Sequence, residues 1–317
     1  MNILIYIEDN DNKINSNSLE SLKAAQDIKA NKNGQIFAVT FNDNIASELT
    51  KFDLDKVYAF NNSNLNDYSP MYFIKAMENL INEIRPDMII FGHTYQTRDW
   101  VPRLSARLDI PFISDCTGIK IEDDLKFVRQ LYQGKVTADY TVSSFPLILS
   151  FQSGSFRADQ ITNGSSELDS SNIDFNDVIN TIHPDEKFQE SESEVDLTQS
   201  DVIVSIGRGI GKEENLPMVN ELAEKLGGNV ASSRPIVDSG WLEPYHQIGS
   251  SGQTVSPKLY IALGMSGAIQ HVVGMKGSQN IVVINKDANA PFFELADYAV
   301  VGDILEILPK MIEALDS

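Results

Sequence analysis

Apolar runs of strand length alternate with segments of helical periodicity through the first half of the chain. Such alternation is typical of an open parallel sheet with helices packed on its faces. The candidate strands are Ile3 to Ile7, Gln35 to Thr40, Lys56 to Phe60, Met88 to Phe91 and Phe112 to Ser114. The candidate helices are Ser18 to Ala30, Met71 to Ile84 and Arg98 to Leu108. Two extended segments, 127–132 and 137–151, predict antiparallel strands that end this domain.

The same alternation returns from residue 201 with greater regularity. The candidate strands there are Asp201 to Ile206, Leu259 to Leu263, Ile281 to Ile284 and Tyr298 to Val301. The candidate helices are Glu213 to Leu226, a short one from Ala268, and Ile304 to Leu315. Residues 161–200 are rich in acidic residues and serine and have no hydrophobic period, which predicts a solvated connection.

The pattern therefore predicts an α/β fold with two domains. Residues 1–189 form an N-terminal nucleotide-fold domain with a parallel sheet, and residues 190–317 form a C-terminal doubly wound parallel sheet. A length of 317 residues is enough for two separate cores.

Charge excludes some classes of partner. The formal net charge of −20 disfavours nucleic acid and anionic membrane surfaces. No apolar stretch approaches the roughly 18 residues of a membrane span, so we expect no stable membrane insertion. The opening residues, Met1 to Glu8, predict a strand and not a basic targeting leader. The expectation is a soluble, cytoplasmic protein.

Few residues are available to hold a metal. Cys116 is the single cysteine, which excludes an internal disulfide and an iron–sulfur cluster held by several thiolates. The four histidines, His93, His183, His246 and His271, are too scattered for a metal motif. Redox chemistry in this chain would therefore need a bound organic cofactor.

Glycines follow two strands of the second domain, at the end where open α/β sheets bind ligands. The strand that ends at Ile206 runs into Gly207, Arg208 and Gly209, which favours phosphate held on backbone amides with Arg208 adding charge. A tight loop packed on its own helix explains the same glycines, because the spacing is not a full dinucleotide fingerprint.

The second glycine turn follows Leu259 to Leu263 and leads to a helix start that Ser266 is predicted to cap. Two anion-binding turns in one domain suit a dinucleotide. His271 would lie near the first turn of this helix. A lone histidine at such a place is either structural or a hydrogen-bond donor to a ligand.

Three blocks of the second domain resemble the sequence motifs of electron transfer flavoprotein alpha subunits, in the same order and spacing. They are Ser232 to Trp241, Leu259 to His271 and Val283 to Asp287. Thr117 and the run Val128 to Gly134 more loosely resemble the N-terminal half of that family.

The resemblance implies that the second domain binds FAD, and it assigns contacts residue by residue. Along the pyrophosphate and ribityl region these are Arg208, Ser266, Gly267 and Ala268, with Gln270 and His271 facing the ribityl and pyrimidine side. Ile269 is implied as a further contact. Ser233 and Asn285 are implied for the nucleotide portion, and Asp303 with Ile304 for the adenosine end. Arg234 is implied over the isoalloxazine ring. The segment Ile248, Gly249, Ser250 and Ser251 is implied to lie beside the ring, with Ser251 near flavin N5.

The implied positions suit the charge that a flavin gains on accepting one electron. That charge concentrates at N1 and the C2 carbonyl, so a fixed donor such as His271 stabilises it. Arg234 parallel to the ring would add a positive field. The alternative for Arg234 is a surface ion pair. A hydrogen bond from Ser251 would tune protonation at N5.

One segment departs from the family pattern. Where the family commonly has Gly-Gln-Thr-Gly-Lys, this chain has Ser250 in place of the amide, Ser251 in place of threonine and Gln253 in place of lysine. The hydroxyl group survives at Ser251. Loss of the amide at Ser250 leaves the redox potential and the choice of partner open.

The resemblance implies an electron carrier without a substrate transformation of its own. It implies a heterodimer with a beta subunit that also carries AMP, reduction by acyl-CoA dehydrogenases of fatty acid β-oxidation, and delivery to electron transfer flavoprotein–quinone oxidoreductase. His93 and Arg98, which follow a strand of the first domain, would belong to a degenerate site that serves subunit contact.

Two alternatives stay open from the sequence. An electron-bifurcating complex would use the same alpha fold with a second FAD in the beta subunit. An NAD-dependent enzyme of related fold would need a catalytic lysine or an acid/base pair, and Lys212 and Lys286 have no evident partner acid.

Overall fold

The computed structural model describes residues 1–122, 124–132, 134–182 and 196–316. The chain divides into two compact units, residues 1–187 and 188–317. Each unit contains a sheet of its own, so the predicted α/β class is confirmed. The predicted boundary between residues 189 and 190, like His183, lies outside the described residues and stays a prediction.

The first unit alternates strands and helices. Its strands are β1 (Ile3–Tyr6), β2 (Asp9–Asn10), β3 (Lys13–Ile14), β4 (Ile36–Thr40), β5 (Lys56–Phe60), β6 (Met88–Gly92), β7 (Phe112–Ile121), β8 (Leu125–Leu131), β9 (Val136–Thr141), β10 (Leu147–Phe151) and β11 (Glu167–Ser171). Its helices are α1 (Ser16–Lys32), α2 (Asp43–Leu49), α3 (Pro70–Ile84) and α4 (Tyr95–Leu108).

Nine of these strands, within the residues described, form one sheet in the order β11-β5-β4-β1-β6-β10-β7-β8-β9. The pairs are parallel except at the β7-β8-β9 end, so the predicted antiparallel ending is confirmed. Because β1 is followed on one side by β4 and on the other by β6, the order of connections reverses between β1 and β6. Ligands of open α/β sheets bind at such a switch point.

The predicted extended segment 137–151 is wrong as one antiparallel strand. It contains β9, which is an exposed edge, and β10, which is fully buried and pairs in parallel with both β6 and β7. Pro146, which lacks a backbone N–H, separates the two strands. The interior position of β10 explains its continuous apolar sequence.

The second unit has shorter elements. Its strands are β12 (Val202–Ile206), β13 (Asn229–Ser232), β14 (Leu259–Leu263), β15 (Ile281–Asn285) and β16 (Tyr298–Val301). Its helices are α5 (Leu216–Lys225), α6 (Arg234–Asp238), α7 (Ile269–Val272) and α8 (Ile304–Leu315). The predicted helix over 213–226 is shorter than expected, because Glu213 to Asn215 form a 3₁₀ turn and the α-helix begins at Leu216, with Pro217 in its first turn.

The sheet of the second unit has the order β13-β12-β14-β15-β16, and all its pairs are parallel. Alternate side chains of β12, β13, β14 and β15 enter two cores, whereas β16 is exposed along its length. Val204, Ile261 and Ile284 face the core that contains α5 and α8. Tyr260 and Val283 face a second core on the opposite side. The order of connections reverses between β12 and β14, which makes this the switch point of the second sheet.

Candidate cofactor site

The predicted site residues follow the carboxyl ends of all five strands of the second sheet. Because the strands are parallel, these ends share one edge. Arg208 follows β12, Ser233 and Arg234 follow β13, Ser266 to His271 follow β14, Asn285 ends β15, and Asp303 with Ile304 follow β16. The topology therefore gathers residues that are distant in sequence.

Most backbone amides of the first glycine loop donate hydrogen bonds to backbone carbonyls. They are therefore not available to hold phosphate in the way that the sequence predicted. The amide of Gly207 donates to the Leu263 carbonyl at 2.9 Å, and that of Gly209 donates to the Gly264 carbonyl at 3.0 Å. Those of Ile210 and Gly211 donate within the loop. The alternative interpretation, a tightly packed loop, describes this segment, and the Arg208 side chain remains exposed.

The glycines of this loop allow two loops to touch. A Cβ atom at Gly209 would lie 2.6 Å from Cα of Gly264, and one at Gly207 would lie 2.6 Å from the Gly264 carbonyl oxygen. Neither distance leaves room for a side chain. The glycines after β12 therefore serve contact with the loop after β14.

The loop after β14 has free amides. In the described part of the chain, the backbone N–H groups of residues 266–270 donate no hydrogen bond to protein. Gly267 has φ +85°, and a Cβ there would lie 2.4 Å from the Phe292 nitrogen. Only glycine fits this conformation and contact. The loop thus presents backbone donors on a fixed path.

The predicted cap at Ser266 is wrong. The short helix α7 begins at Ile269, its N-cap position is Ala268, and Ala268 provides no side-chain hydrogen bond. The helix starts later than expected because Gly267 takes the left-handed conformation, which a helix cannot contain. The Ser266 carbonyl instead accepts from the Phe292 amide at 3.3 Å.

The segment with the unusual residues packs directly against this loop. The Ser250 amide donates to the Gln270 carbonyl at 2.7 Å, and a Cβ at Gly249 would lie 2.5 Å from the same oxygen. Ser251 Oγ accepts from Gln247 Nε2 at 3.0 Å. Residues 248–251 and 270–271, predicted to share the ring, are therefore neighbours.

Gln253 fixes this segment from behind. Its Oε1 accepts from the Leu197 amide at 3.1 Å, and its Nε2 donates to the Tyr245 carbonyl at 2.7 Å. A lysine at this position has no acceptor atom for Leu197. The departure at Gln253 therefore links three stretches of backbone.

His271 is buried, with 6% of its surface exposed. Its Nε2 lies 2.7 Å from the hydroxyl oxygen of Tyr260, which is fully buried. Burial, only partly opposed by the backbone of Ile248, lowers the pKa of His271 to about 4, so the imidazole is neutral near pH 7. The Ile248 backbone approaches the imidazole closely enough to oppose the effect of burial, but no group of the described residues lies in hydrogen-bonding geometry with Nδ1.

Positive charge at this edge includes two exposed arginines, Arg208 and Arg234. Arg234 Nε lies 3.4 Å from Asp238 Oδ2, one helical turn further along α6. This is the surface ion pair that the sequence left as the alternative. Because its side chain is 68% exposed, the pair leaves the guanidinium open to solvent.

The remaining predicted residues have structural contacts of their own. Asn285 Nδ2 donates to the Met265 carbonyl at 2.8 Å, which ties β15 to the loop after β14. Asp303 Oδ1 caps α8 by accepting from the Leu305 amide at 2.9 Å. Ile304 packs against Gly264, where a Cβ would lie 2.7 Å from its Cδ1.

Buried polar residues of this unit were missed from the sequence. Tyr260 holds His271, and Ser205 and Ser232 each have an Oγ without a hydrogen-bond partner in the described ranges. A tyrosine within an apolar strand was an available signal, because buried phenol groups need a partner. No group of three histidine, cysteine or acidic side chains is placed to hold a metal within the described residues.

The corresponding edge of the first sheet is bridged by side chains. Thr94, after β6, donates to the carboxyl group of Glu8, after β1, and Asn15 Nδ2 donates to the other carboxyl oxygen at 3.3 Å. Burial raises the pKa of Glu8 to about 7. His93 Nδ1 lies 2.9 Å from Ser150 Oγ. These contacts join the ends of β1, β6 and β10.

The structure does not contain a helix with both the length and the apolar character to cross a membrane, as far as its described residues extend.

Family models match both units. Residues 3–174 match the electron transfer flavoprotein domain, and residues 196–276 match the electron transfer flavoprotein FAD-binding domain. The second match contains the switch point of the second sheet and most of the candidate site.

Full-length relatives are similar throughout. The chain is 35% identical to the electron transfer flavoprotein subunit alpha of Thermoanaerobacterium thermosaccharolyticum over 99% of its own length and 97% of that protein. It is 33% identical to the protein of that name from Bacillus subtilis, covering 98% and 96%. It is 32% identical to the lactate dehydrogenase (NAD(+),ferredoxin) subunit LctC of Acetobacterium woodii, covering 99% and 77%.

Proposed function

The chain belongs to the electron transfer flavoprotein alpha-subunit family, and we propose that it carries electrons one at a time on FAD bound at the carboxyl edge of its second sheet. The observation that carries this proposal is the unpartnered Nδ1 of His271, nine-tenths buried beside a loop of free amides.

The residues of this edge fit FAD. A buried ring nitrogen without a partner costs free energy unless a ligand supplies one. The amides of 266–270 offer donors for phosphate or carbonyl oxygens, and Arg208 offers positive charge. Ile269 is 62% exposed, which suits an apolar side chain that a flat ligand covers. When bound, FAD supplies a ring that takes and gives single electrons.

His271 supplies a neutral donor in this proposal. With a pKa of about 4, its imidazole carries one proton at neutral pH, and the ring is held by Tyr260. A donor already fixed before charge arrives needs no reorganisation to stabilise it. The Ser251 hydroxyl accepts from Gln247 and keeps its own hydrogen for an acceptor on the ligand.

Arg234 supplies the permanent charge. A guanidinium stays protonated at any working pH and stacks on planar systems. Its pair with Asp238 anchors one side of the guanidinium, while the exposed remainder is free to approach a ring. Ser233, Asn285, Asp303 and Ile304 are proposed to line the nucleotide end, since they lie on the same edge.

The partners proposed are those of the family as a whole. A beta subunit with bound AMP would complete the heterodimer through the first unit, acyl-CoA dehydrogenase-type flavoenzymes would donate electrons, and a membrane quinone oxidoreductase would accept them. Relatives named as electron transfer flavoprotein subunits along their full length support this proposal. A cytoplasmic location and a role in fatty acid β-oxidation stay predictions.

A bifurcating complex is the second candidate. It is favoured by the full-chain similarity to a relative named as a subunit of a lactate dehydrogenase that uses NAD⁺ and ferredoxin. In that case the beta subunit would hold a second FAD. The number of flavins per heterodimer separates the two candidates.

Co-expression with the beta subunit from the same genome tests the proposal. We expect a complex with visible flavin absorbance, a single-electron reduced form during titration, and reduction by an acyl-CoA dehydrogenase with its substrate. A colourless complex, or direct two-electron reduction, would contradict it. Two flavins per heterodimer would support the bifurcating candidate.

A further inference from the structure

Tyr260 and His271 form an isolated polar pair within an apolar core. The phenol oxygen and Nε2 are 2.7 Å apart, and Phe292 packs against both rings, at centroid distances of 6.5 and 6.2 Å. Tyr260 has no exposed surface, and burial holds its pKa well above the ordinary value. Both groups are therefore neutral, and the pair shares one hydrogen bond.

Counting donors decides the direction of that bond. The phenol has one hydrogen and the neutral imidazole has one. Ser205 is close enough to oppose the effect of burial on the pKa of Tyr260, but its Oγ makes no hydrogen bond in the described part of the chain. If His271 donated from Nε2, the phenol hydrogen would be buried without an acceptor, which costs about 1–3 kcal/mol.

The opposite direction leaves no such loss at the phenol. Tyr260 donates to the Nε2 lone pair, and the imidazole proton then lies on Nδ1. The single atom left without a partner is Nδ1–H, a donor. The buried orphan nitrogen thus becomes a donor that needs an acceptor from outside the chain.

We propose that Tyr260 is a positioning residue that fixes His271 as its Nδ1–H tautomer, so that Nδ1 donates to a carbonyl or ring-nitrogen acceptor of the bound flavin. The identity of the acceptor rests on the proposed function. The tautomer itself rests only on the pair and its burial. The role of Tyr260 is to prevent His271 from presenting a lone pair where the flavin gains negative charge.

The tautomer is measurable directly. Selective ¹⁵N labelling of histidine in the heterodimer gives four ring systems to assign, since the chain has four histidines, and His→Gln variants of the other three assign them. Histidines of the beta subunit stay unlabelled if the two subunits are produced separately, only the alpha chain is labelled, and the heterodimer is then reconstituted. At pH 7 we expect the nitrogen shifts of His271 to show the proton on Nδ1, with and without FAD.

Tyr260→Phe removes only the hydroxyl. We expect His271 to lose its Nδ1–H preference and the equilibrium constant for the first electron to fall by about three- to tenfold, the value of one hydrogen bond. Tyr6→Phe is the matched control. Tyr6 is also a buried tyrosine, with its hydroxyl 3.3 Å from Gln96 Oε1 in the first unit, so this variant should change neither quantity.

Replacing the histidine provides a second arm. Asparagine places an amide nitrogen near the position of Nδ1, whereas glutamine places one near Nε2. His271→Asn should retain more of the first-electron stabilisation than His271→Gln. Adding Tyr260→Phe to His271→Asn should have little further effect, because the amide donor no longer depends on the phenol.

The outcomes separate this inference from the proposed function. A heterodimer without flavin contradicts the proposed function, while its His271 nitrogen shifts still report the tautomer. A flavin-bound heterodimer whose wild-type His271 carries its proton on Nε2 overturns the inference about Tyr260. So does a Tyr260→Phe variant with unchanged nitrogen shifts and an unchanged first-electron constant.

Discussion

The two large sheets of the chain differ in how polar groups are hydrogen-bonded at their switch points. In the first unit, Glu8 after β1 and Thr94 after β6 bond to each other across the edge. In the second unit, the loops after β12 and β14 are joined by backbone, and the donors beyond them, 266–270 and His271, have no partners in the described chain.

Sheet topology alone therefore does not make a ligand site. Both sheets have a switch point of the kind that binds nucleotides. The first sheet joins the ends of β1, β6 and β10 through side chains, so Glu8, Thr94 and His93 have partners within the chain. Other buried side-chain atoms of the first unit have no partner in the described residues, namely Asn17 Oδ1, Ser21 Oγ, Thr40 Oγ1, Trp100 Nε1 and Arg129 Nε. The second sheet leaves the solvent-facing amides of 266–270, which water or a ligand can satisfy, and the buried Nδ1 of His271 without a partner in the described chain. The loop with these unpartnered donors, residues 266–271, lies within the FAD-binding domain match.

The largest effect expected is from Gly267→Ala, which tests whether the free-amide loop is needed. Gly267 combines φ +85° with a Cβ position 2.4 Å from the Phe292 nitrogen. We expect the unfolding free energy to fall by about 3 kcal/mol or more, with loss of FAD. Denaturant unfolding and flavin content of the purified complex measure both.

Gly227→Ala is the matched control for that variant. Gly227 has φ +64°, and nothing lies within 4 Å of its Cβ position. It should cost only about 1–2 kcal/mol for the left-handed backbone and should retain FAD. If both variants lose FAD equally, the contact with Phe292 does not shape the site.

Glu8 makes the stability of the first unit, where it accepts from Thr94 at the end of the sheet, sensitive to pH. Its pKa is raised from 4.5 to about 7 by burial, so the folded state keeps the proton that the unfolded state has lost. The contribution of Glu8 to stability is therefore fully present below pH 4.5 and is lost, by about 3 kcal/mol, as pH rises from 4.5 through 7. Glu8→Gln should remove this dependence, and should not change FAD content at any pH.

Unfolding of wild type and Glu8→Gln at pH 5 and pH 8 measures this effect. The variant should gain stability relative to wild type at the higher pH. An identical pH dependence in both proteins would mean that the carboxyl group of Glu8 is ionised in the folded chain.

Arg234→Ala tests the permanent charge at the carboxyl edge of the second sheet. We expect the equilibrium constant for the first electron to fall roughly tenfold, the size of one nearby charge partly screened by water. Arg107→Ala is the control, because Arg107 also forms a surface ion pair, 2.9 Å from Glu78 in the first unit. Equal redox behaviour of both variants would remove Arg234 from the site.

Gln253→Lys restores the residue common in the family and should have the smallest effect. The loss of the acceptor for the Leu197 amide should cost about 1 kcal/mol, while FAD stays bound. Thermal unfolding of the complex measures the change. A gain in stability would show that Gln253 does not support the segment beside Ser251.

The sequence predicts the strands of this fold well where they are buried. Lys56–Phe60 and Leu259–Leu263 have the predicted bounds, because interior parallel strands are continuous apolar runs. Tyr298–Val301 also has the predicted bounds, although it is the exposed edge strand of the second sheet. The sequence did not predict strand β13 or helix α6. Strand β13 has only two apolar residues between Asn229 and Ser232, and the five residues of α6 are too few to show a helical period.

The sequence predicted where the candidate site lies, but it did not predict what each residue does there. Glycines after strands indicate the correct edge, but glycine is required at 207 and 209 because the loop that contains Gly264 packs against them, and not because a ligand does. Which amides are free depends on the neighbouring loop, and no local pattern contains that information. The same holds for His271, whose burial and partner Tyr260 come from tertiary contacts.

Amide hydrogen exchange of the heterodimer before and after FAD removal tests the contrast between the two edges most directly. We expect that peptides containing residues 264–271 lose protection when FAD is removed, while peptides containing Glu8 or Thr94 do not change. Equal protection of 264–271 with and without FAD, or a change confined to the first unit, would contradict it.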